Sequence, residues 1–430
     1  MRIAHVVQGW AEQLGGGPRY FREISFRAAA AGHDVTVLTT NAVDGEYFWR
    51  GSAPHSAPGV QDERGVRVRR FPVRHLPINH WKLARALALA APGLWGPYFD
   101  PPTPWVPDLH RYVRRTSELP EIVHGTGFPL DSPLWAGRTL AQRADCPLLL
   151  TPLLHFGRGE RDVSEFERFY SRSHQQTLLR GSSVVFVLTA IEGDVAISLG
   201  ARPETVCPIG IGIEPAEVTG GDGEAFRAHH GIEGPILLHI ATRAVAKGSD
   251  TVLEAARRLW DRGSDVTLVM AGGSMPCFRE CLEAFRDSLP GDRFIDLGYV
   301  SEDEKRDALA AADVFALPSR ADAFGIVFLE AWMNEVPVIG ARAGGIPGVI
   351  DDGRDGLLVE YGDADGLAHA VERLLADRKA SGAMARAGKE KVLARYTWDE
   401  VFARVLERYE ACAGRGYGEL PAHERPSTRS

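Results

Sequence analysis

The chain has 430 residues, enough for two or three domains with substantial cores. Its 49 Lys and Arg stand against 57 Asp and Glu, a net charge of −8 that argues against bulk nucleic-acid binding, where a basic excess is expected. Five cysteines (Cys146, Cys207, Cys277, Cys281 and Cys412) are odd in number and mostly far apart, so no disulfide framework is expected and a reducing, cytoplasmic setting fits best.

From the N-terminus, "RIAHVV" reads as a short buried strand, "GGGPRYFREISFRAAAAGH" as a glycine turn running into a helix, and "DVTVLTT" as a second strand. Short β-branched or aliphatic runs then alternate with helical patterns at "EIVHG", "PLLLTPLL" and "VVFVLT". A segment between 45 and 118 is less regular and rich in Trp, Pro and His. A second alternating series begins near Pro235 with "PILLHIA", "SDTVLEAARRLWDRG" and "DVTLVMAGG". In "SEDEKRDALAAAD", Ser301 followed by Glu304 carries a capping-box signature. "VFALPS", "FGIVFLEAWMNE" and "VPVIGAR" complete the series. Such alternation predicts parallel sheets covered on both faces, with ligands bound outside the carboxyl ends of the strands. The longest apolar run, Leu83–Gly96, is broken by Arg85 and Pro92 and is too short to span a membrane.

Two carboxylates stand out, Asp322 before the last of these helices and Glu330 within it. A helix N-terminus favours phosphate, and flanking carboxylates suit the hydroxyls of a sugar attached to that phosphate. An N-cap Asp and an early-turn Glu are equally ordinary helix furniture, so the pair alone does not decide. Arg243 and Lys247 in "ATRAVAKGSD" follow a strand and suit a diphosphate, the one with paired donors and the other as a point charge. Gly16 and Gly17 in "GGGPRYF" allow close backbone approach, although the spacing is not that of a dinucleotide fingerprint. "GGIPG", Gly344–Gly348, is another loop at a strand end.

Taken together, "RAVAKGSDTVLEAARRL", "VTLVMAGG", "ADVFALPSRADAFGIVFLEAWMNEVPVIGARAGGIPGVIDDGRDGLLV" and "RYTWDEVF" resemble the retaining glycosyltransferases of family four. The resemblance covers nearly the whole chain. It implies the GT-B fold, two doubly wound Rossmann-like α/β domains facing a central cleft. The expected division is an acceptor-side domain at 1–212, a nucleotide-sugar-binding domain at 213–395, a helix at 396–414 returning to the first domain, and a disordered tail at 415–430. By resemblance, Glu330 holds the nucleotide ribose, Asp322 touches the donor sugar, and Phe324, Gly325, Ile326 and Val327 contact sugar and phosphate. Arg243 and Lys247 grip the diphosphate, with Gly16 and Gly17 against it from the other domain. His155 maps to the family's active-site histidine, so His155, Asp322, Arg243 and Lys247 form the expected catalytic set. Arg19, Tyr20 and His124 are acceptor-side candidates.

The family pattern has Glu at both ends of its carboxylate motif and often Glu where Gly348 stands. Asp322 and Gly348 therefore suggest an unusual or larger donor sugar. The implied reaction moves a sugar from a nucleotide diphosphate, UDP- or GDP-linked, to a hydroxyl or thiol of a small molecule, natural product, lipid or glycan. No metal and no cofactor are expected. The alternative is a GT-B protein that binds nucleotide without transferring sugar. Acceptor choice is expected in the segment holding Trp81, Trp95, Trp105 and "RVRRFPVRH", which is also where any peripheral membrane contact would lie. The oligomeric state is open, a homodimer included.

Overall fold

A computed structural model describes residues 1–11, 16–75, 103–154, 156, 170–285 and 289–420. These residues fall into two compact units. One lies within Met1–Leu154, Ser164–Ile209 and Phe402–Ser430, the other within His155–Val163 and Gly210–Val401.

The first unit is built on eight strands: β1 (Arg2–Val6), β2 (Asp34–Thr40), β3 (Gly59–Glu63), β4 (Val66–Phe71), β5 (Ile122–Gly125), β6 (Leu148–Leu150), β7 (Val184–Val187) and β8 (Val206–Pro208). Their order is β3-β4-β2-β1-β5-β6-β7-β8, and every pairing is parallel except β3 with β4. The strand order reverses between β1 and β5, whose registers align Ile3 with Ile122 and Val6 with Gly125. Helices α1 (Gly16–Ala30), α2 (Pro107–Arg115), α3 (Ser132–Ala144), α4 (Ser173–Gly181) and α5 (Ala190–Ser198) belong to this unit. The central strands are buried along their whole length, as parallel strands covered on two faces must be.

The second unit has six parallel strands: β9 (Ile236–Ile240), β10 (Thr267–Ala271), β11 (Phe294–Gly298), β12 (Val314–Leu317), β13 (Val338–Ala341) and β14 (Gly356–Val359). Their order, β11-β10-β9-β12-β13-β14, reverses between β9 and β12. Around them lie α6 (Ser249–Asp261), α7 (Pro276–Phe285), α8 (Glu302–Ala311), α9 (Ile326–Met333), α10 (Ala364–Ala376) and α11 (Arg378–Arg395). Leu253, Ala256 and Leu259 of α6 meet Leu367 and Val371 of α10 in one apolar cluster. Ser301 and Glu304 make both halves of the expected capping box at the start of α8.

The last helix, α12 (Trp398–Cys412), passes from the second unit into the first at Phe402. Within the first unit its Tyr409 hydroxyl is hydrogen-bonded to His5 Nε2 at 2.9 Å and to His124 Nδ1 at 2.6 Å. The other ring nitrogens are also occupied, His5 Nδ1 by Ser25 at 2.6 Å and His124 Nε2 by Thr151 at 2.7 Å. Burial pushes His5 down to about 3 and His124 well below the usual histidine range. His239, buried on β9, is pushed down to about 4. All three stay neutral in the fold while their unfolded counterparts take up a proton below about pH 6.5. Stability is therefore expected to fall as pH drops from about 6.5 towards 4, His239 alone contributing on the order of 3 kcal/mol. Thermal unfolding at pH 5 against pH 7.5 checks this, with a drop of roughly 5–10 °C expected.

Among the described residues no helix is long and apolar enough to cross a membrane. All five cysteines are free, with Cys277 and Cys281 on α7.

Candidate functional site

In the second unit the relevant side chains gather where the strand order reverses. The loop after β9 carries Arg243 and Lys247, and the loop after β12 carries Asp322. Two internal ties hold the first loop. His239 Nε2 is hydrogen-bonded to Ser249 Oγ at 2.9 Å, and Ser249 Oγ accepts the Ala244 amide at 3.2 Å. Arg243 is further fixed through its own backbone, its amide donating to Gly273 O at 2.7 Å and its carbonyl accepting Met275 N at 2.9 Å.

The Arg243 side chain is only 4% exposed. Its Nε donates to Gly272 O at 3.0 Å, and its guanidinium carbon lies 5.7 Å from the Phe278 ring centroid. Nη1 stands 2.5 Å from Asp296 Oδ1, a close ionic contact without hydrogen-bond alignment. Lys247 Nζ donates to Asp322 Oδ1 at 2.5 Å, while Asp322 Oδ2 is buried with no hydrogen-bond partner among the described residues. Both cations expected to hold a diphosphate thus rest against carboxylates.

The turn between Asp322 and α9 depends on glycine. Gly325 sits at φ +84°, where a Cβ would meet the Phe328 ring at 2.6 Å, and no side chain caps the first turn of the helix. Gly345 approaches from the loop after β13, its amide donating to Asp322 O at 2.7 Å. A Cβ on Gly345 would lie 1.9 Å from Ala323 O. Phe324 is 3% exposed and its ring packs edge-on against Tyr396 at 5.3 Å, so that ring is committed to the core. Gly325, Ile326 and Val327 form the half-buried part of the turn. Gly348 is exposed.

Glu330, on α9, accepts from Lys305 Nζ at 3.2 Å, with the two side chains 7% and 14% exposed. Lys305 also pairs with Glu302 at 2.7 Å. Burial opposes the charge on Lys305, but Glu330 and Glu302 together hold its ammonium above the usual lysine range. Lys305 and Asp296 are the residues that sequence reasoning missed. Lys305 sits 25 residues from Glu330 on a separate helix, and Asp296 lies on β11, so no local spacing signals either. The sequence also holds an Asp-x-Asp, Asp363–Asp365. Asp363 caps α10 by accepting the Gly366 amide at 2.9 Å, and Asp365 pairs with Arg258 and, at 3.2 Å, with Arg262.

In the first unit, Gly16 is exposed and Gly17 half-buried at the start of α1, where a Cβ on Gly17 would meet Leu153 Cδ1 at 3.0 Å. Arg19 is half-buried and Tyr20 fully buried. His124, with 0% exposure and both nitrogens hydrogen-bonded, offers no free polar atom to an acceptor. The basic run begins on the interior strand β4, and part of its charge is paired inside the unit. Arg70 pairs with Glu63, Arg74 with Asp108 at 3.0 Å, and Arg69 lies 4.5 Å from the Tyr112 ring centroid. Trp105 is 36% exposed. His155, Trp81 and Trp95 lie outside the described residues, as does the tail beyond 420.

Two doubly wound, mostly parallel sheets are the architecture of the GT-B fold. Residues 222–391 match the model for glycosyl transferases group 1, and residues 15–212 that for a glycosyl transferase 4-like domain. The chain belongs to the group 1 glycosyltransferases of the family-four type. It is 34% identical over 182 residues to a GDP-mannose-dependent alpha-(1-6)-phosphatidylinositol monomannoside mannosyltransferase of Mycobacterium tuberculosis, covering 41% of this chain and 47% of that protein. The match thus spans about half the length of that relative. A glycogen synthase of the same species is 27% identical over 412 residues, 93% of this chain and 91% of the enzyme. Among solved structures, Anabaena Alr3699/HepE in complex with UDP superposes with a TM-score of 0.72 at 18% identity, covering 95% of this chain and 99% of that one. Sucrose-phosphate synthase of Thermosynechococcus elongatus gives 0.68 at 20% identity over 95% and 98%.

Proposed function

We propose that the chain transfers a sugar from a nucleoside diphosphate sugar to an acceptor hydroxyl with retention of anomeric configuration. The observation that carries this reading is the arrangement of Arg243, Lys247 and Asp322 at the strand-order reversal of the second unit, with one buried Asp322 oxygen unpartnered. An unsatisfied carboxylate oxygen suits a sugar hydroxyl, because a donor there relieves the cost of its desolvation. Arg243 and Lys247 supply positive charge to the leaving diphosphate, and Glu330 is the acceptor for the ribose hydroxyls. In the transfer the bond from the anomeric carbon to the phosphate oxygen breaks and a bond to the acceptor oxygen forms on the same face. The acceptor's proton passes to the departing phosphate, so no separate strong base is needed. His155 is proposed as the active-site histidine, and Gly16 and Gly17 as backbone contacts to phosphate. The UDP bound to the Anabaena protein and the GDP-mannose named for the mycobacterial one support a UDP- or GDP-linked donor.

Thermal shift against UDP, GDP, ADP and TDP is the direct test. A ligand that binds only the folded state raises the melting temperature, by about 2.7 kcal/mol of added stability at a hundred times its Kd. One nucleotide is expected to stand out and name the donor's base. If none shifts the transition, the folded chain binds none of these nucleotides and the proposed function fails. With the donor known, the anomeric proton coupling of the product decides retention against inversion.

A further inference from the structure

Lys247 ends a single 3-10 turn, Val245–Lys247, closed by the Gly248 amide donating to Val245 O at 2.8 Å. The turn is pinned from the loop after β12. Its Ala246 carbonyl accepts the Arg320 amide at 2.9 Å and Ser319 Oγ at 3.2 Å. Gly248 passes close to the same loop, where a Cβ would meet Pro318 O at 2.3 Å. The outward lip of the turn, where Val245 is 38% exposed, is held from another direction. There the Tyr361 hydroxyl, from the segment beyond β14, donates to Val245 O at 3.0 Å.

Local sequence presents that tyrosine on a firm base. It lies in a four-residue turn from Glu360 to Asp363, closed by the Asp363 amide donating to Glu360 O at 3.1 Å. Gly362, the third residue of the turn, takes φ +79°, a conformation that glycine adopts without steric cost. Asp363 then caps α10, just as Gly248 leads straight into α6. Helices α6 and α10 share one apolar cluster, so the two loops that Tyr361 joins are the entries to a packed helix pair. The Arg320 guanidinium carbon stands 5.9 Å from the Tyr361 ring centroid. A carbonyl oxygen has two lone pairs, and water can serve the one that Gly248 leaves. Satisfying Val245 O therefore does not call for a tyrosine. What a hydroxyl on a rigid ring adds is a fixed place for the turn.

We infer that Tyr361 is a positioning residue for diphosphate binding, holding the Val245–Lys247 turn so that the Lys247 ammonium stays beside Asp322 Oδ1. The inference rests on the role of Lys247 in the proposed reaction. Tyr361 acts on the turn, and the turn acts on the ammonium. Tyrosine, turn and lysine all belong to the second unit.

The test titrates full-length wild type, Y361F, K247M and the Y361F/K247M double variant with UDP, GDP, ADP and TDP. Y361F is expected to weaken the nucleotide that the wild type binds by ~3–10-fold, the range for one hydrogen bond. In the K247M background the same change is expected to cost less than ~2-fold, because the group through which it acts is gone. The melting temperature of Y361F stays within about 2 °C of wild type, since the lost bond is half-exposed. Amide hydrogen exchange at Gly248, whose acceptor is Val245 O, is faster in Y361F. Unchanged affinity in Y361F, or an equal loss in both backgrounds, overturns the positioning role. Unchanged exchange at Gly248 overturns the tie itself. If the wild type binds none of the four nucleotides, the proposed function fails and the positioning role falls with it. If K247M binds as tightly as the wild type, only the roles given to Lys247 and Tyr361 fail. In both cases exchange at Gly248 still decides whether Tyr361 holds the turn.

Discussion

Replacing Arg243 and Lys247 together with alanine is expected to lower turnover by ~10³-fold or more and to abolish the thermal shift given by the cognate nucleotide. Removing one preorganised donor from a developing oxyanion costs about 10²–10³ in rate, and the two cations act on the same leaving group, so the losses do not simply add. Both residues are now held by carboxylates, Arg243 by Asp296 at 2.5 Å and Lys247 by Asp322 at 2.5 Å. Their positions are thus set before a ligand arrives, and binding requires an exchange of partners rather than a search. The substitution also leaves Asp296 and Asp322 unpaired and empties the space beside Phe278, so some fall in melting temperature accompanies it. Lys247→Met separates the two effects, because it keeps the aliphatic stem and removes only the charge. A double variant that folds and still answers to the nucleotide would remove the diphosphate from this place.

Gly345→Ala is expected to cost about 3 kcal/mol and to weaken nucleotide binding at least tenfold. The added Cβ would lie 1.9 Å from the Ala323 carbonyl oxygen, a backbone atom that no rotamer change can move aside. Overpacking a well-filled site costs about 1–3 kcal/mol, and the upper end applies where backbone meets backbone. To make room, the two loops must part, and the bond from Gly345 N to Asp322 O at 2.7 Å is lost with them. Asp322 and the turn at Gly325 then move relative to Lys247. Denaturant unfolding reads the first effect, and nucleotide titration of the folded variant reads the second. Gly291→Ala is a useful control for stability, since a Cβ there meets nothing within 4 Å and the backbone is not in the left-handed region.

Much of the site was legible because its residues follow strands. Arg243, Lys247 and Asp322 could be placed at loop ends once the alternation of strands and helices was read, and the reversal of strand order at β9 and β12 is where such loops converge. Glu330 was legible through its spacing from Asp322. What it bonds to was not, because Lys305 comes from α8 and meets it only through packing. The direction of the Phe324 ring was not legible for a related reason, since a residue beside such a turn can point inward and the partner that takes its ring, Tyr396, lies far along the chain. In the basic run that begins on β4, spacing likewise does not show that β3 folds antiparallel beside it and that Glu63 takes Arg70.

The sequence by itself determined the two alternating series, the capping box at Ser301, the glycine turns and the family to which the chain belongs. Those are local patterns of period, spacing and backbone freedom, and they survive whatever the chain does elsewhere. The tertiary structure alone decided which charges neutralise one another, that His5, His124 and Tyr409 form a buried polar chain, and that Glu192 ties Leu154 to Leu188. Each of these depends on residues separated by tens to hundreds of positions meeting out of water. There the cost of an unpaired polar group makes partners obligatory, but sequence spacing says nothing of who the partner is.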